Sequence, residues 1–193
     1  MLAAHGQPFA TTLTGFKWIG RVPGLAFGYE EAIGYCTDAA AVPDKDGITT
    51  LVRILALVAG LNAAGSSIAE RLDEIAATYG VHLTSQLSFR VADLSLIADA
   101  MARVRATPPS ALAGEPVTSV DLATGSAELP PTDGMLFTGD QVRVVVRPSG
   151  TEPKLKCYLQ VRLPAGGDLG AERARAAVVM AQARADMTRA LGL

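Results

Sequence analysis

The chain has 193 residues, 49% hydrophobic and 19% charged, and 17 Lys+Arg against 19 Asp+Glu leave a formal net charge of −2 at pH 7. That balance supplies apolar material for a core, and it excludes a charge-rich disordered chain and a general electrostatic footprint for nucleic acid. The longest apolar run, Ile54 to Leu61, falls far short of the roughly 20 residues of a membrane span, so neither nucleic acid nor membrane is an expected partner.

The N-terminus, Met1-Leu2-Ala3-Ala4-His5-Gly6, lacks the basic start and apolar centre of a signal peptide. Up to about residue 45, Gly15, Gly20, Gly24, Gly28 and Gly34 punctuate short apolar runs, a pattern that fits short strands and tight loops better than helices. From Thr49 to Leu61 the chain is apolar on nearly every side and reads as a helix buried in a layered fold. Ser67-Ile68-Ala69-Glu70 is a capping-box pattern; Ile68, Leu72, Ile75 and Tyr79 then share a helical face, and Gly80 stands at the C-terminal cap.

Leu83, Leu87, Phe89 and Val91 alternate with Thr84, Gln86, Ser88 and Arg90, a half-buried strand. Asp93 is positioned to cap a helix with Leu94, Ile97, Met101 and Val104 inward. Pro108-Pro109, Pro116 and Pro130-Pro131 mark a loop-rich passage with one short strand near Val117–Leu122. Strands follow over Val142–Val146 and Leu155–Leu163, and Asp168 to Leu191 forms a final helix with Met180, Met187 and Leu191 on its apolar side. The expected class is α/β, α+β in the second unit. Two small domains are expected: a mixed α/β sheet layer over residues 1–80, then a β-α-β-β-β-α domain with an antiparallel sheet over 81–193.

Between the last two strands lies Arg147-Pro148-Ser149-Gly150-Thr151-Glu152-Pro153-Lys154. It suits an anion cradle. Gly150 lets the backbone turn, Ser149 and Thr151 add hydroxyl donors, and Arg147 offers a planar fork to phosphate oxygens. An ordinary hairpin carrying a surface arginine fits the same residues. In Gly28-Tyr29-Glu30-Glu31-Ala32-Ile33-Gly34, adjacent carboxylates could accept hydrogen bonds from vicinal hydroxyls, and on a strand only one of the two would face a ligand. Two solvated glutamates at a helix start are the alternative. In Thr14-Gly15-Phe16-Lys17-Trp18, Lys17 could present its ammonium to phosphate or pack its stem on the indole. Asp44-Lys45-Asp46-Gly47 reads as a turn and helix cap rather than a metal loop. His5 and His82 have no supporting constellation. Cys36 and Cys157 form no C-x-x-C pair and read as small core residues, which favours a reducing cytoplasm.

In this order the segments resemble the α-D-phosphohexomutase family, the phosphoglucomutases and phosphomannomutases. Thr14 to Trp18 is similar to the family's third-domain T-G-x-K loop, and Gly28 to Gly34 to its sugar-recognition loop G-x-E-E-[SA]-x-G. Lys45-Asp46-Gly47 matches the K-D-G that follows, and Arg147 to Lys154 the phosphate loop R-x-S-G-T-E-P-K. Ala32 stands where many relatives carry serine. The resemblance implies a mutase that interconverts hexose 1- and 6-phosphates through a phosphoserine and a glucose 1,6-bisphosphate-type intermediate, with Mg²⁺ assisting each transfer. It also implies that Glu30 binds sugar hydroxyls, that Lys17 contacts substrate near the reacting end, and that Arg147, Ser149, Gly150 and Thr151 hold the non-transferring phosphate. No T-x-S-H-N-P-like serine loop or D-G-D-x-D-R-like metal loop occurs in the sequence. The expectation is therefore most of the third domain plus the fourth, with no catalytic or metal-binding residue in this chain. Its expected partners are a phosphosugar and the N-terminal half of the same enzyme. A non-catalytic phosphosugar-binding module is the alternative.

Overall fold

In the computed structural model, which describes residues 1–126 and 129–193, contacts divide the chain into two units. One is Met1–Leu72 with, among the described residues, 129–130, and the other comprises Asp73–Ser126 with Pro131–Leu193.

In the first unit, Gly15 takes φ 112°, a conformation glycine tolerates, and launches a helical turn, α1 (Phe16–Ile19), where short strands are expected from the sequence. A small antiparallel hairpin follows, β1 (Gly28–Glu30) against β2 (Gly34–Cys36), pairing Tyr29 with Tyr35 and Glu30 with Gly34. Asp46 accepts hydrogen bonds from the Ile48 and Thr49 N–H groups and so caps α2 (Gly47–Ala63).

The sequence predicts that α2 is buried; in the structure none of its residues is. Ile48 is 78% exposed and Leu55 59%. The physical reason is that a helix apolar all round needs packing partners on several sides, and the only strands described in this unit are two of three residues each. The chain then runs into α3 (Ile68–Tyr79), within which the first unit gives way to the second. Ser67 Oγ accepts from the Glu70 N–H, while Glu70 turns back onto the Ser66 and Ser67 hydroxyls, a variant of the expected capping box. Among the described residues no single helix is long and apolar enough to cross a membrane.

In the second unit five antiparallel strands form one sheet in the order β3-β9-β8-β7-β6. These are β3 (Val81–Arg90), β6 (Thr118–Asp121), β7 (Met135–Thr138), β8 (Val142–Pro148) and β9 (Lys154–Leu163). A two-stranded ribbon, β4 (Ala111–Leu112) with β5 (Glu115–Pro116), precedes β6. Strand β7 adds one member to the expected set. Met-Leu-Phe-Thr is short and lacks polar alternation, so only its position between β6 and β8 makes it a strand.

Period-two burial in β8 and β9 places Val142, Val144, Val146, Leu155, Cys157, Leu159, Val161 and Leu163 inside. Against them lie α4 (Ser95–Ala106), through Ile97, Ala100, Met101 and Val104, and α5 (Leu169–Leu191), through Ala176, Met180, Ala183, Met187 and Leu191. Helices on one side of an antiparallel sheet leave its other side wetter, as period-two strands allow. Asp93 accepts from the Ser95 N–H as expected, but Leu94 lies outside α4 and is exposed rather than inward. Gly80 adopts φ 94°, and a Cβ there would stand 2.2 Å from the Leu163 carbonyl oxygen; glycine is therefore required where α3 meets β3.

Candidate functional site

Two loops carry the candidate residues, one in each unit. In the first unit the β1–β2 hairpin fixes which glutamate turns inward. Glu30 closes the hairpin opposite Gly34, and its side chain is only 14% exposed; Glu31, in the turn, is solvent-exposed. Gly34 is indispensable here, because a Cβ would stand 2.5 Å from Glu30 Cγ and 2.7 Å from Phe16 Cε2. The turn also holds Ile33 at φ 61°, a left-handed conformation that a β-branched residue seldom adopts, and leaves it exposed.

Lys45 reaches over this hairpin and donates to Glu30 Oε1 at 2.9 Å. That hydrogen bond, with the charge of Glu30, pushes the Lys45 ammonium above its usual range. The same ammonium lies 5.9 Å from the Phe16 ring centroid. Lys45 is a residue that sequence reasoning missed: the Asp44-Lys45-Asp46-Gly47 run signalled a cap, and Asp46 does cap α2, held below the ordinary carboxylate range by its hydrogen bonds to Thr49 and Ile48. The signal lay in the lysine between the two aspartates.

Lys17 is exposed on α1, and its ammonium lies 5.7 Å from the Trp18 ring centroid, a cation–π contact rather than the expected packing of the stem on the indole. Among the described residues no hydrogen bond or ion pair joins it to Glu30. On the other face of the hairpin, Tyr29 and Tyr35 meet at 5.3 Å between ring centroids, and Phe27 lies 6.4 Å from Tyr35.

In the second unit Arg147, Ser149, Gly150 and Thr151 lie together at the tip that joins β8 to β9. Strand pairing runs out at Pro148 opposite Leu155, and the Ser149 N–H closes the loop on the Lys154 carbonyl at 2.9 Å. Glu152 ties the loop to its base: Oε1 accepts from Lys154 Nζ at 2.8 Å and from Arg90 at 3.3 Å. These cations, Lys154 first, hold the Glu152 carboxyl below its usual range. Pro153 O accepts from the Val91 N–H, which fastens the loop to the end of β3.

Arg147 keeps its Nε–H buried with no hydrogen-bond partner among the described residues. A buried guanidinium N–H without an acceptor costs about 1–3 kcal/mol unless something outside the chain supplies one. Among the described residues no backbone acceptor takes the N–H groups of Gly150 or Thr151, both of which are exposed. Gly150 departs from expectation in its reason. Its φ is not positive and a Cβ there would meet nothing within 4 Å, so neither the turn nor the chain's own packing demands glycine. What the missing side chain leaves is open access to the backbone, the feature that a close-approaching anion uses.

His82 is exposed. Cys36 and Cys157 are free and buried, as core residues should be. Burial pushes the Cys157 thiol up to about 12. Among the described residues no three His, Cys, Asp or Glu side chains converge as metal ligands, so these residues do not by themselves fit a magnesium centre.

Two family models match the chain. Residues 1–79 match the alpha/beta/alpha domain III of phosphoglucomutase/phosphomannomutase, and residues 87–177 match the C-terminal domain of the same family. Among curated proteins, the chain is 42% identical over 153 residues to a probable phosphomannomutase of Haemophilus influenzae, covering 78% of this chain and 31% of that protein. It is 34% identical over 191 residues to a probable phosphoribomutase of Schizosaccharomyces pombe, covering 84% and 32% respectively. Against a phosphoglucomutase of Staphylococcus aureus the figures are 25% over 178 residues, 81% and 32%. The chain thus spans about a third of the length of the curated relatives it matches.

Proposed function

The chain belongs to the phosphoglucomutase/phosphomannomutase family, of which it carries third-domain and C-terminal-domain sequence, and from that premise we propose that it is the substrate-binding portion of a phosphosugar mutase. The observation that carries the reading is the buried, unpartnered Arg147 Nε–H at the base of the open Ser149-Gly150-Thr151 loop. Phosphate supplies what those donors lack: several acceptor oxygens and negative charge in one small group. Glu30, with one carboxylate oxygen engaged by Lys45, has acceptor capacity left for ring hydroxyls. Lys17 would add a mobile ammonium near the reacting end of the sugar.

In the whole protein the sugar would exchange phosphate with a serine through a bisphosphate, with Mg²⁺ offsetting charge during each transfer. Both the serine and the metal ligands would be supplied from outside this chain, and the protein would work in the cytoplasm. This chain alone should bind phosphosugar and turn none over. A hexose phosphate is the proposed substrate. A pentose phosphate is the second reading, favoured by the phosphoribomutase relative and by a human phosphopentomutase 30% identical over 188 residues.

Calorimetric titration with glucose 1-phosphate, mannose 1-phosphate and ribose 1-phosphate tests the proposal and ranks the sugars. Arg147→Ala should weaken binding roughly 10–150-fold, the consequence of losing about 1.5–3 kcal/mol of charge-assisted hydrogen bonding. Arg147→Lys should recover only part, because an ammonium has no fork. Equal affinity in wild type and Arg147→Ala would reduce the loop to a plain hairpin.

A further inference from the structure

Helices α4 and α5 cover one face of the five-stranded sheet, and the residues between the buried ones occupy its open face. Arg143 and Arg147 stand there from β8, Lys154, Lys156 and Arg162 from β9, and Arg90 from β3. They are six of the chain's 17 Lys+Arg, in a chain whose formal net charge is −2. No strand places a carboxylate on that face. The five strands contain one, Asp121, which pairs with the buried Met135 and turns to the helix side, where Arg105 of α4 donates to it at 3.1 Å.

Cation meets cation across these strands. Arg147 lies directly opposite Lys156, and Arg90 directly opposite Lys154. Like charges so placed destabilise a sheet. Glu152 offsets the second pair, accepting from both Arg90 and Lys154. Among the described residues nothing offsets the first: Lys156 has no ion pair, and the Arg147 Nε–H has no acceptor. Arg143 and Arg162, both exposed, are likewise without an ion pair among those residues. Folding gains nothing from this arrangement, whereas an anion in the solvent is drawn to it.

The cations run along the sheet toward the Ser149-Gly150-Thr151 tip. At about 3.4 Å per residue, Arg143 stands about 14 Å from Arg147, and Arg162 about 20 Å from Lys156. Neither can touch a phosphate held at the tip. Both act on it through the field, because the screening length is about 30 Å at about 0.01 M salt and about 8 Å at about 0.15 M.

We propose that the open face of the sheet is an electrostatic guide for phosphate esters, in which Arg143 and Arg162 draw the dianion toward the loop at Arg147 without contacting it. The inference rests on the reading of that loop as a phosphate site, and it adds the surface by which the phosphate arrives. A chain with a net negative charge repels an anionic ligand, and a local run of cations reverses that repulsion along one approach.

The test compares salt dependence in the 193-residue chain at about pH 8, with glucose 1-phosphate and inorganic phosphate as probes. At about 10 mM salt, Arg143→Glu with Arg162→Glu should weaken both ligands about fivefold, from Coulomb's law at these distances and this screening. At about 0.5 M salt the same double variant should bind within about 1.5-fold of wild type. The loss should lie in the association rate, with dissociation unchanged, as ³¹P line shapes report. Arg143→Gln with Arg162→Gln should lose about twofold at low salt, a milder pair that guards against misfolding. Arg143→Lys with Arg162→Lys should bind like the wild type, because steering needs charge and no fork. Arg147→Ala should weaken binding at both salt concentrations, since it removes a contact.

Wild-type affinity in the Glu and Gln double variants at low salt, with Arg147→Ala still weakened, removes the guide and leaves the phosphate site standing. A loss that persists at high salt, or that the lysine variants fail to restore, means that these arginines touch ligand or shape the loop, which also overturns the proposal. Failure of the site reading is distinct: Arg147→Ala is then silent, or the wild type binds neither probe, and the guide falls with it.

Discussion

Adjacent glutamates in this chain meet different fates because β1 ends between them, Glu30 being its last residue and Glu31 the first of the turn. Glu30 turns inward beneath Lys45 and Glu31 projects from the turn into solvent. Glu31→Gln should therefore leave hexose-phosphate affinity within about twofold of wild type, as surface substitutions do, and titration beside Glu30→Gln reads the contrast. Damage from Glu31→Gln with Glu30→Gln silent would place the loop one residue out of register. The two cysteines carry a second expectation at this scale. Burial holds the Cys157 thiol protonated, and the thiolate is the reactive form. Iodoacetamide at pH 8 should leave Cys157 unmodified in the folded chain and label it in urea. Mass spectrometry gives the answer, and native-state labelling of Cys157 would contradict the packing of β9 on the helices.

Helix α2 shows how an element can be right in kind and mistaken in surroundings. Its cap at Asp46 and its apolar composition specify a helix, but Leu51, Val52, Leu55 and Leu57 all stand exposed. A surface of that kind should bind a hydrophobic dye such as ANS at neutral pH without denaturant. Replacing both Leu51 and Leu55 by Gln, one helical turn apart and still a good helix former, should lower that dye fluorescence while leaving far-UV circular dichroism unchanged. Unchanged fluorescence would mean the face is already covered in solution. By contrast α5 pairs an N-cap at Asp168, accepting from the Ala171 N–H, with a stripe of buried Ala and Met. That stripe is covered by the sheet and by α4, whose Arg103 donates to the Leu191 carbonyl. The loop between β8 and β9 takes its stiffness from both its prolines and the Glu152 bridge to Lys154 and Arg90. Pre-ordering of this sort lowers the entropy lost when a ligand is gripped.

For the molecule as a whole, acid is the informative perturbation. Asp46, Asp93, Asp121 and Glu152 are all held below the ordinary carboxylate range, Asp121 first by the Ala123 N–H and then by Arg105. Each binds its proton less readily folded than unfolded. Their stabilising contributions are thus complete above the unfolded values near about 4 and are lost as pH falls through the lower folded values. Melting followed by circular dichroism should give a flat midpoint from pH 7 to about 5 and a decline below about 4. Asp121→Asn should lower the neutral midpoint and shallow that decline; an unaltered slope would remove Asp121 from the account. What the sequence by itself determined was everything written in local order. Period-two alternation marked β3 and β9, an apolar run marked β8, glycines and capping residues marked where helices begin and end, and short motifs marked Arg147 to Thr151 and Glu30 as candidates. What only the tertiary structure decided was everything that depends on neighbours distant along the chain. Met135–Thr138 became a strand because β6 and β8 flank it, Gly80 proved obligatory because the Leu163 carbonyl lies against it, and Lys45 acquired its partner fifteen residues back through a hairpin. Hydrogen bonds and packing act through space while propensity acts along the chain, so a residue whose role lies in a remote contact carries no mark of that role in its own local sequence.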